Sequence, residues 1–398
     1  MSSKATKYNT FVNEGEQEEH PQEVETIELE ISSCPEVDPK SVEPPKLANK
    51  ESEGVSPYFL IPILIFLGMI EGAAFQTSGM SAPYAIRGQM TFQIWIVLKM
   101  FLAAVGTSML AQCCMYWYDA ERFQKSRKYL KVMAGLPRVI IGSSLLGIGM
   151  SLAGSGPTMT PSQMGGRCID AIITFGGMLA GGLIFGVIEP HVLRTDVSCK
   201  ADQKPTLDGM FPSFGYPVFA LPMGIAMIGG AIALEFIFPQ SEDAVKLNVG
   251  MTPKLFPTVA GAVVGIMQLP LRFLLGTGQG GSKSIMNIWS TVTMGKVSER
   301  FRIKDVKDAA QFLYVYIGTL SGALICSYAI PDYKPPEGMG YWQSVLGGFL
   351  ALFGARVAAG CTCGNGISGV SELSIQSMCG AASIFGCAIA TGYIIDAM

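Results

Sequence analysis

The feature that most constrains this chain is a series of long apolar runs, each close to the ~20 residues that cross the hydrocarbon core of a bilayer. Short stretches rich in glycine, serine and proline interrupt the series at four places. A backbone in lipid must satisfy its own hydrogen bonds, so runs of this length predict transmembrane helices. The runs cover residues 58–80, 91–117, 135–153, 168–188, 216–238, 256–275, 308–330, 341–359 and 374–395.

The composition supports a membrane protein and sets apart an acidic segment. The 398 residues are 49% hydrophobic and only 15% charged, with a mean hydropathy of +0.38, which is too apolar for an ordinary soluble domain. Residues 1–57 are rich in glutamate and poor in aromatic residues, so we predict a disordered, acidic, cytoplasmic tail. Because no basic segment followed by a short apolar run opens the sequence, we predict no cleaved signal peptide.

The interruptions predict broken helices, because bare backbone at membrane depth has to line a protein cavity or a water path. They lie at residues 78–83, 154–158, 276–281 and 358–369. The order span, break, span, span, break, span occurs twice, on either side of the single run 216–238. In the two later breaks Gly154 and Ser155 align without gaps with Gly360 and Cys361. An odd helix between two equal halves inverts the second half, an architecture found in transporters and channels.

We therefore predict an all-α membrane protein with about nine transmembrane helices and four short broken or re-entrant helices. These form two inverted repeats around a central waist. Residues 58–190 are the first repeat, 191–240 are a connection with a single central helix, and 241–398 are the second repeat.

Lysine and arginine residues in the connections predict the orientation in the membrane. Three connections rich in these residues, at 122–138, 194–204 and 296–307, fall on one face of this topology, which we assign to the cytoplasm. The amino terminus is then cytoplasmic and the carboxy terminus lies on the opposite side. The sequence does not indicate which cellular membrane holds the protein.

Three segments resemble motifs of a known family. Residues 354–369, which read GARVAAGCTCGNGISG, resemble the signature of the YeeE/YedE sulfur-transport family. Residues 152–158 are similar to its Ala-Gly-x-Cys-Pro-Gly motif, and residues 85–90 resemble its early motif. The resemblance covers roughly residues 59–395. It implies an hourglass-shaped protein with broken helices at its waist, whose best-understood members take up thiosulfate.

The resemblance also implies a role for one thiol. On the family pattern Cys361 passes the anion along by weak hydrogen bonds from its S–H, since a thiol is a weak donor that holds a soft anion loosely. This chain departs from the pattern at Gly156, which stands where the first-half cysteine would be. A pathway of several thiols is thereby reduced to Cys361, with Cys363 as a candidate second.

The predicted pore and binding residues lie at the breaks, where hydroxyls, thiols and free helix-terminal amides can bind an anion. For any one hydroxyl, the competing interpretation is that it only caps its helix. The predicted set is Ser78, Ser81, Ser155, Gly156, Pro157, Thr158, Gln279, Ser282, Cys361, Thr362, Cys363, Gly364 and Ser368.

Charged residues in or near the spans form a second predicted group, because burying a charge in a membrane is costly and usually functional. We predict that Arg356, Arg87 and Lys283 steer an anion toward the waist. For Arg356 the competing interpretation is a structural ion pair, for instance with Glu71 or Glu235.

Other chemistries have little support in the sequence. The two histidines, His20 and His191, lie outside the runs, so no four-ligand zinc set is predicted. Residues 276–284 lack the glycine that a phosphate-binding P-loop needs before its lysine. No base accompanies a nucleophile, and most of the cysteines read as small buried hydrophobes. We predict no metal, no cofactor, no nucleic-acid partner and no enzymatic activity.

The leading hypothesis is a permease for a small sulfur-containing anion, thiosulfate by the resemblance, which passes a constriction lined by Cys361 and the broken-helix termini. One alternative keeps the fold and carries another small anion, such as sulfite or sulfate. Another is a membrane sulfur carrier or redox sensor in which Cys361 and Cys363 are modified. The predicted partners are the lipid bilayer and the anion, and the sequence leaves open a homo-oligomer or a downstream sulfur-handling partner. It also leaves open the direction of transport and the coupling ion.

Overall fold

A computed structural model describes residues 56–127, 132–193, 196–198, 206–211, 213–240, 255–298, 301–331 and 333–397. The predicted acidic tail therefore lies almost wholly outside the described residues, as do parts of the connections between spans. Within the described part of the chain, eight helices are long and apolar enough to cross a membrane, and a bent helix pair makes nine. The prediction of an all-α protein with about nine spans is confirmed.

The elements alternate between long and short helices along the chain. Where a proline occupies the first turn of a helix, its fixed φ suits the helix and its missing N–H would have been unpaired there in any case. In chain order the helices are α1 (Pro57–Thr77), α2 (Pro83–Met90), α3 (Ile96–Tyr118), α4 (Ala120–Arg127), α5 (Leu136–Ala153), α6 (Met159–Gly165), α7 (Ile169–Leu193), α8 (Leu207–Met210), α9 (Tyr216–Ile237), α10 (Pro257–Leu275), α11 (Gly281–Val292), α12 (Val306–Ala329), α13 (Tyr341–Val357), α14 (Thr362–Gly369) and α15 (Ile375–Asp396).

The predicted short helices are α2, α6, α11 and α14, and each begins within a few residues of an interruption in the apolar pattern. Two of the described segments are wound as π-helices, namely α14 and residues Phe312–Thr319 in the middle of α12. The axes of α13 and α14 differ by 48°. The chain therefore bends sharply at the break that carries Cys361.

Residues with a left-handed backbone conformation flank the short helix at each interruption. A residue with left-handed φ lies at the end of the long helix before the break, and a non-glycine residue with left-handed φ follows the short helix, joined after α11 by Gly295. Side chains larger than glycine rarely adopt this conformation, so the second position is not visible in the sequence. The residues before the short helices are Gly79, Gly154, Gly276 and Ala359, and those after them are Phe92, Arg167, Met294 and Leu373.

The packing of the long helices relates the two halves of the chain. Helices α5 and α13 contact one another antiparallel, because Gly142 lies against Ala358 while Gly149 lies against Ala351. Helix α7 packs against α13 as α15 packs against α5, and α3 packs against α10 as α12 packs against α1. Exchanging the halves thus exchanges these helix pairs, as expected for inverted repeats. The limits of the repeats remain a prediction.

Small residues allow these close approaches. A Cβ atom on Gly177 would lie 2.2 Å from the carbonyl oxygen of Val345, and one on Gly149 would lie 2.4 Å from the amide nitrogen of Ala351. Neither backbone can yield at such distances, so glycine is required at both positions. The spacing of small residues therefore serves helix packing.

Several peripheral elements were not predicted. The connection after α3 forms the short helix α4, and Val132–Ala134 then pairs antiparallel with Asp196–Ser198. These strands, β1 and β2, belong to two connections that the charge pattern assigns to the same face, and their pairing agrees with that assignment. The strands are three residues long and leave no alternating pattern to recognise.

Candidate functional site

The interruptions converge on one place, where residues 154–158 form what we call the first waist turn and residues 360–364 the second waist turn. A Cβ on Gly156 of the first turn would lie 3.9 Å from Oγ1 of Thr362 in the second. The break before α11 joins them, since a Cβ on Gly281 would lie 2.4 Å from Oγ1 of Thr158. Backbone from both halves thus meets in the interior, as the symmetric packing requires.

The thiol of Cys361 lies at this junction. Its Sγ is 3.9 Å from Oγ1 of Thr158, within range of a weak hydrogen bond that joins the two halves. The residue is 1% exposed. Cys361 is also the residue before α14, and the first N–H groups of a helix have no partner within that helix. A thiol, a hydroxyl and backbone amides therefore share a small interior volume.

A cavity of about 70 Å³ opens beside the junction, which is large enough for several water molecules or one small anion. Its polar side chains are Thr158, Thr362 and Cys363. The rest of its wall is apolar and includes four methionines from different elements, which are Met80, Met100, Met150 and Met159. Thioethers are soft and polarizable, so this wall is suited to a weakly hydrated ligand.

A buried positive charge lies close to the second turn in the sequence. Arg356 is in the last turn of α13, is 6% exposed and donates to Oγ of Ser282 at 3.4 Å. Its guanidinium stacks 4.4 Å from the ring centre of Phe301 and 5.5 Å from that of Phe185. The carboxylates considered as partners for Arg356 have other contacts, because Glu71 accepts from Gln279 and Glu235 pairs with Lys99.

The structure places some predicted residues at the junction and others away from it. Pro157 and Cys363 line the cavity, and a Cβ on Gly364 would lie 3.8 Å from Sγ of Cys361. Ser155 instead bonds Thr160 of its own short helix at 2.8 Å, and Ser81 bonds Ser162 at 2.6 Å. These two hydroxyls hold the breaks together.

The remaining predicted residues lie outside the junction or on its border. Ser78 donates to the carbonyl of Phe75 one turn earlier. Arg87 donates to carbonyls at the end of α5 and to Gln343 at 3.0 Å, so it joins α2 to α5 and α13. Lys283 is exposed, while Gln279 and Ser368 belong to a buried polar network that includes Gln268.

A cluster of buried charges holds the far end of α14. Both terminal nitrogens of Arg127 donate to the carboxylate of Asp208, at 2.8 and 2.7 Å, and one also donates to the carbonyl of Glu372. Arg272 pairs with the Glu372 carboxylate. Burial alone would raise the pKa of Asp208, but the hydrogen bonds and charge of Arg127 outweigh it and lower that pKa. No sequence spacing could reveal this cluster, because its members come from four different segments.

The candidate site is built from broken helices and lies inside a bundle of long apolar helices. This arrangement defines a multi-pass integral membrane protein of the transporter type. The comparison with protein families agrees and is more specific. The family model described as Sulphur transport matches residues 77–390, so the chain belongs to this family, the YeeE/YedE family. Its function is accordingly that of a sulfur-related transporter. The sequence matches none of the curated proteins compared with it.

Proposed function

We propose that the protein is a permease for thiosulfate, which passes between the two waist turns at Cys361. The observation that carries this proposal is the position of the Cys361 thiol, buried and 3.9 Å from the Thr158 hydroxyl of the opposite half. An anion moving between the halves has to pass this contact. Weak donors are suited to the task, because conduction requires binding that is favourable and still readily released.

The surroundings of the thiol favour a soft anion. Free amides at the start of α14 supply partial positive charge, and Arg356 supplies a full charge at the start of α11, where it donates to Ser282. The methionine side chains of the adjacent cavity compete poorly with water for a strongly hydrated ion. A sulfur-terminated anion can place its thio end against these groups and its oxygens toward the hydroxyls and amides.

The test is uptake of radiolabelled thiosulfate by proteoliposomes. Cys361→Ala should reduce the initial rate by about 100-fold, near the upper end of what the loss of a hydrogen bond to a charged group costs. The matched control is Cys114→Ala, which removes an exposed thiol on α3 and should leave the rate unchanged. Wild-type rates in Cys361→Ala, with normal incorporation into the vesicles, would contradict the proposed path.

A second candidate cargo is a sulfur oxyanion without a thio end, such as sulfite or sulfate. The observation in its favour is Gly156, where the family pattern has a cysteine and this chain offers only backbone and the nearby Thr362 hydroxyl. Competition of labelled thiosulfate uptake by unlabelled sulfite and sulfate separates the two. Half-inhibition by thiosulfate at a concentration at least about tenfold lower, equivalent to ~1.4 kcal/mol, supports thiosulfate as the preferred cargo.

The carrier or sensor hypothesis receives less support from the geometry. Reactive cysteines are usually partly exposed, whereas Cys361 and Cys363 are 1% and 7% exposed. Mass spectrometry of the purified protein should find both thiols unmodified in most copies. A persulfide or sulfenic acid on Cys361 in most copies would favour the carrier instead.

We also propose that the basic connections face the cytoplasm, which places the carboxy terminus on the opposite side. An epitope tag appended after Met398 should then be reached by antibody in intact cells when the protein is in the plasma membrane. A tag that is detected only after permeabilisation would reverse the orientation.

A further inference from the structure

Glu71 is a carboxyl group buried within a membrane-spanning helix. It lies two turns from the end of α1, and it is 0% exposed. An ionised carboxylate in such a place is costly unless it is paired, so acidic residues inside membrane helices commonly carry protons or ions. Neither the resemblance to sulfur transporters nor the thiol at the waist accounts for this residue.

The contacts of Glu71 leave one carboxyl oxygen available to carry a proton. Gln279 donates to Oε1 at 2.6 Å, whereas Oε2 meets no group in full hydrogen-bond geometry among the described residues. The equally buried hydroxyl of Tyr314 is the other neighbour that interacts with the carboxyl, and its geometry falls short of a well-formed hydrogen bond. Tyr314 belongs to the π-helical segment of α12, and such segments are frequent at functional sites.

A chain of hydrogen bonds connects Glu71 to the break that carries the thiols. Gln279, which contacts the carboxyl, also receives a bond from Nε2 of Gln268 at 3.2 Å. Oε1 of Gln268 in turn accepts from Oγ of Ser368 in α14 at 2.9 Å. Gln279 is in the break before α11, so the network touches both interruptions of the second half. Three successive hydrogen bonds between side chains therefore link the carboxyl of Glu71 to α14.

Electrostatics couples the carboxyl to an anion at the waist. The titratable groups that face Glu71 among the described residues are Tyr314 from α12 and Cys363 from α14, and Cys361 lies next beyond Cys363. The other elements at the carboxyl present neutral amides, Gln279 and Gln268. An ionised Glu71 repels an anion beside these thiols, and a proton on its carboxylate removes the repulsion. Because linkage is reciprocal, anion binding must also favour protonation.

We propose that Glu71 is the proton-binding site of a proton-coupled anion permease, an inference that rests on the proposed function. A proton adds to one carboxylate oxygen as the anion enters the constriction, and both leave together on the other side. The hydroxyl of Tyr314 accepts a hydrogen bond from the protonated carboxyl, and the side-chain amide of Gln279 donates one to it. The cargo then moves as an anion and proton pair with one negative charge fewer.

The experiment uses two assays on the same proteoliposomes, with the membrane potential clamped at zero. The first measures exchange of labelled for unlabelled thiosulfate without a pH gradient. The second measures accumulation under a gradient of one pH unit, alkaline inside, which one coupled proton should raise by up to about tenfold. Glu71→Gln should retain exchange and lose the response to the gradient. The matched control, Glu235→Gln, changes a carboxylate of α9 that pairs with Lys99 and should keep it.

A transport-independent measurement accompanies these assays. Adding thiosulfate to the detergent-solubilised protein in weakly buffered solution should cause proton uptake by the wild type, read with a pH dye, and none by Glu71→Gln. Wild-type exchange without any gradient response or linked proton uptake would overturn the proton site and leave the permease intact. Persistence of both responses in Glu71→Gln would also overturn it. Absence of thiosulfate exchange in the wild type would overturn the proposed function, and the proton site with it.

Discussion

The two waist turns occupy aligned positions in the two halves but differ in backbone. The first turn leaves α5 through Gly154 and the second leaves α13 through Ala359, each with a φ of 57°. Because Gly154 aligns with Gly360, the left-handed residue falls one position earlier in the second turn. The helix that follows is an α-helix in the first half and a π-helix in the second. A symmetric scaffold thus contains two different turns.

The difference in backbone accompanies a difference in chemistry. Ser155 bonds Thr160 on its own side, whereas Cys361, its aligned counterpart, contacts Thr158 across the junction. The second half places the thiol of Cys361 at the junction, and the first half places the hydroxyl of Thr158 there. The repeated architecture thus supplies the meeting point, while the two halves bring different side chains to it.

Moving the thiol from the second turn to the first gives the largest expected effect. In the double variant Ser155→Cys, Cys361→Ser, uptake of labelled thiosulfate should stay about 100-fold below wild type, because position 155 faces Thr160 rather than the junction. The single variant Ser155→Cys serves as control and should keep most activity. Recovery of the double variant to within tenfold of wild type would show that the turns are interchangeable.

Replacing each of the aligned glycines with alanine should lower the free energy of unfolding by different amounts in the two turns. A Cβ on Gly154 would lie 2.5 Å from the carbonyl oxygen of Pro83 at a left-handed φ, so Gly154→Ala should cost about 3 kcal/mol. A Cβ on Gly360 would meet the movable amide of Asn365, and Gly360→Ala should cost about 1 kcal/mol. Reversible unfolding in mixed detergent measures both; equal losses would contradict the backbone difference.

Restoring a thiol to the first turn should sharpen selectivity. Gly156 has space for a side chain, since the nearest atom to an added Cβ is Oγ1 of Thr362 at 3.9 Å. Gly156→Cys should raise the ratio of thiosulfate to sulfate uptake about threefold, the effect of one weak hydrogen bond. Gly156→Ala adds the bulk without the thiol and should leave the ratio unchanged. An equal rise in both variants would assign the effect to size.

The smallest expected effect concerns the left-handed alanine. Ala359 adopts a φ of 57° that glycine adopts without strain. Ala359→Gly should therefore stabilise the protein by about 1 kcal/mol, read as a higher midpoint of unfolding in mixed detergent. The same change at Ala358, which has an ordinary helical conformation, should destabilise it. Destabilisation by Ala359→Gly would contradict the comparison of the two turns.

Most of the fold could be predicted from the sequence, because the membrane imposes a length and a polarity on every span. The glycine-rich breaks at Gly79, Gly154 and Gly276 showed where helices end. The residues that close the short helices, such as Arg167 and Leu373, could not be recognised, because their left-handed backbone is imposed by tertiary packing and contradicts their intrinsic preference.

The place where the broken helices meet was predictable from the sequence, and the side-chain contacts made there were less so. Sequence spacing brought Cys361 and Thr158 to aligned breaks, and the structure places them in contact. It could not assign Ser155 to its own helix or find the network of Glu71 and Gln279, which are 208 positions apart. A charged residue within an apolar run was the one available signal for Glu71.

The contact between Thr158 and Cys361 joins residues 203 positions apart, so it can form only late in the synthesis of the chain. During synthesis from the amino terminus, α5, α6 and α7 exist before any residue of α13 or α14 has been added. The first waist turn is therefore present in the membrane before the second waist turn has been made. During this period the incomplete chain is prone to misassembly. A chain that stops before residue 360 contains the whole first half and has no waist.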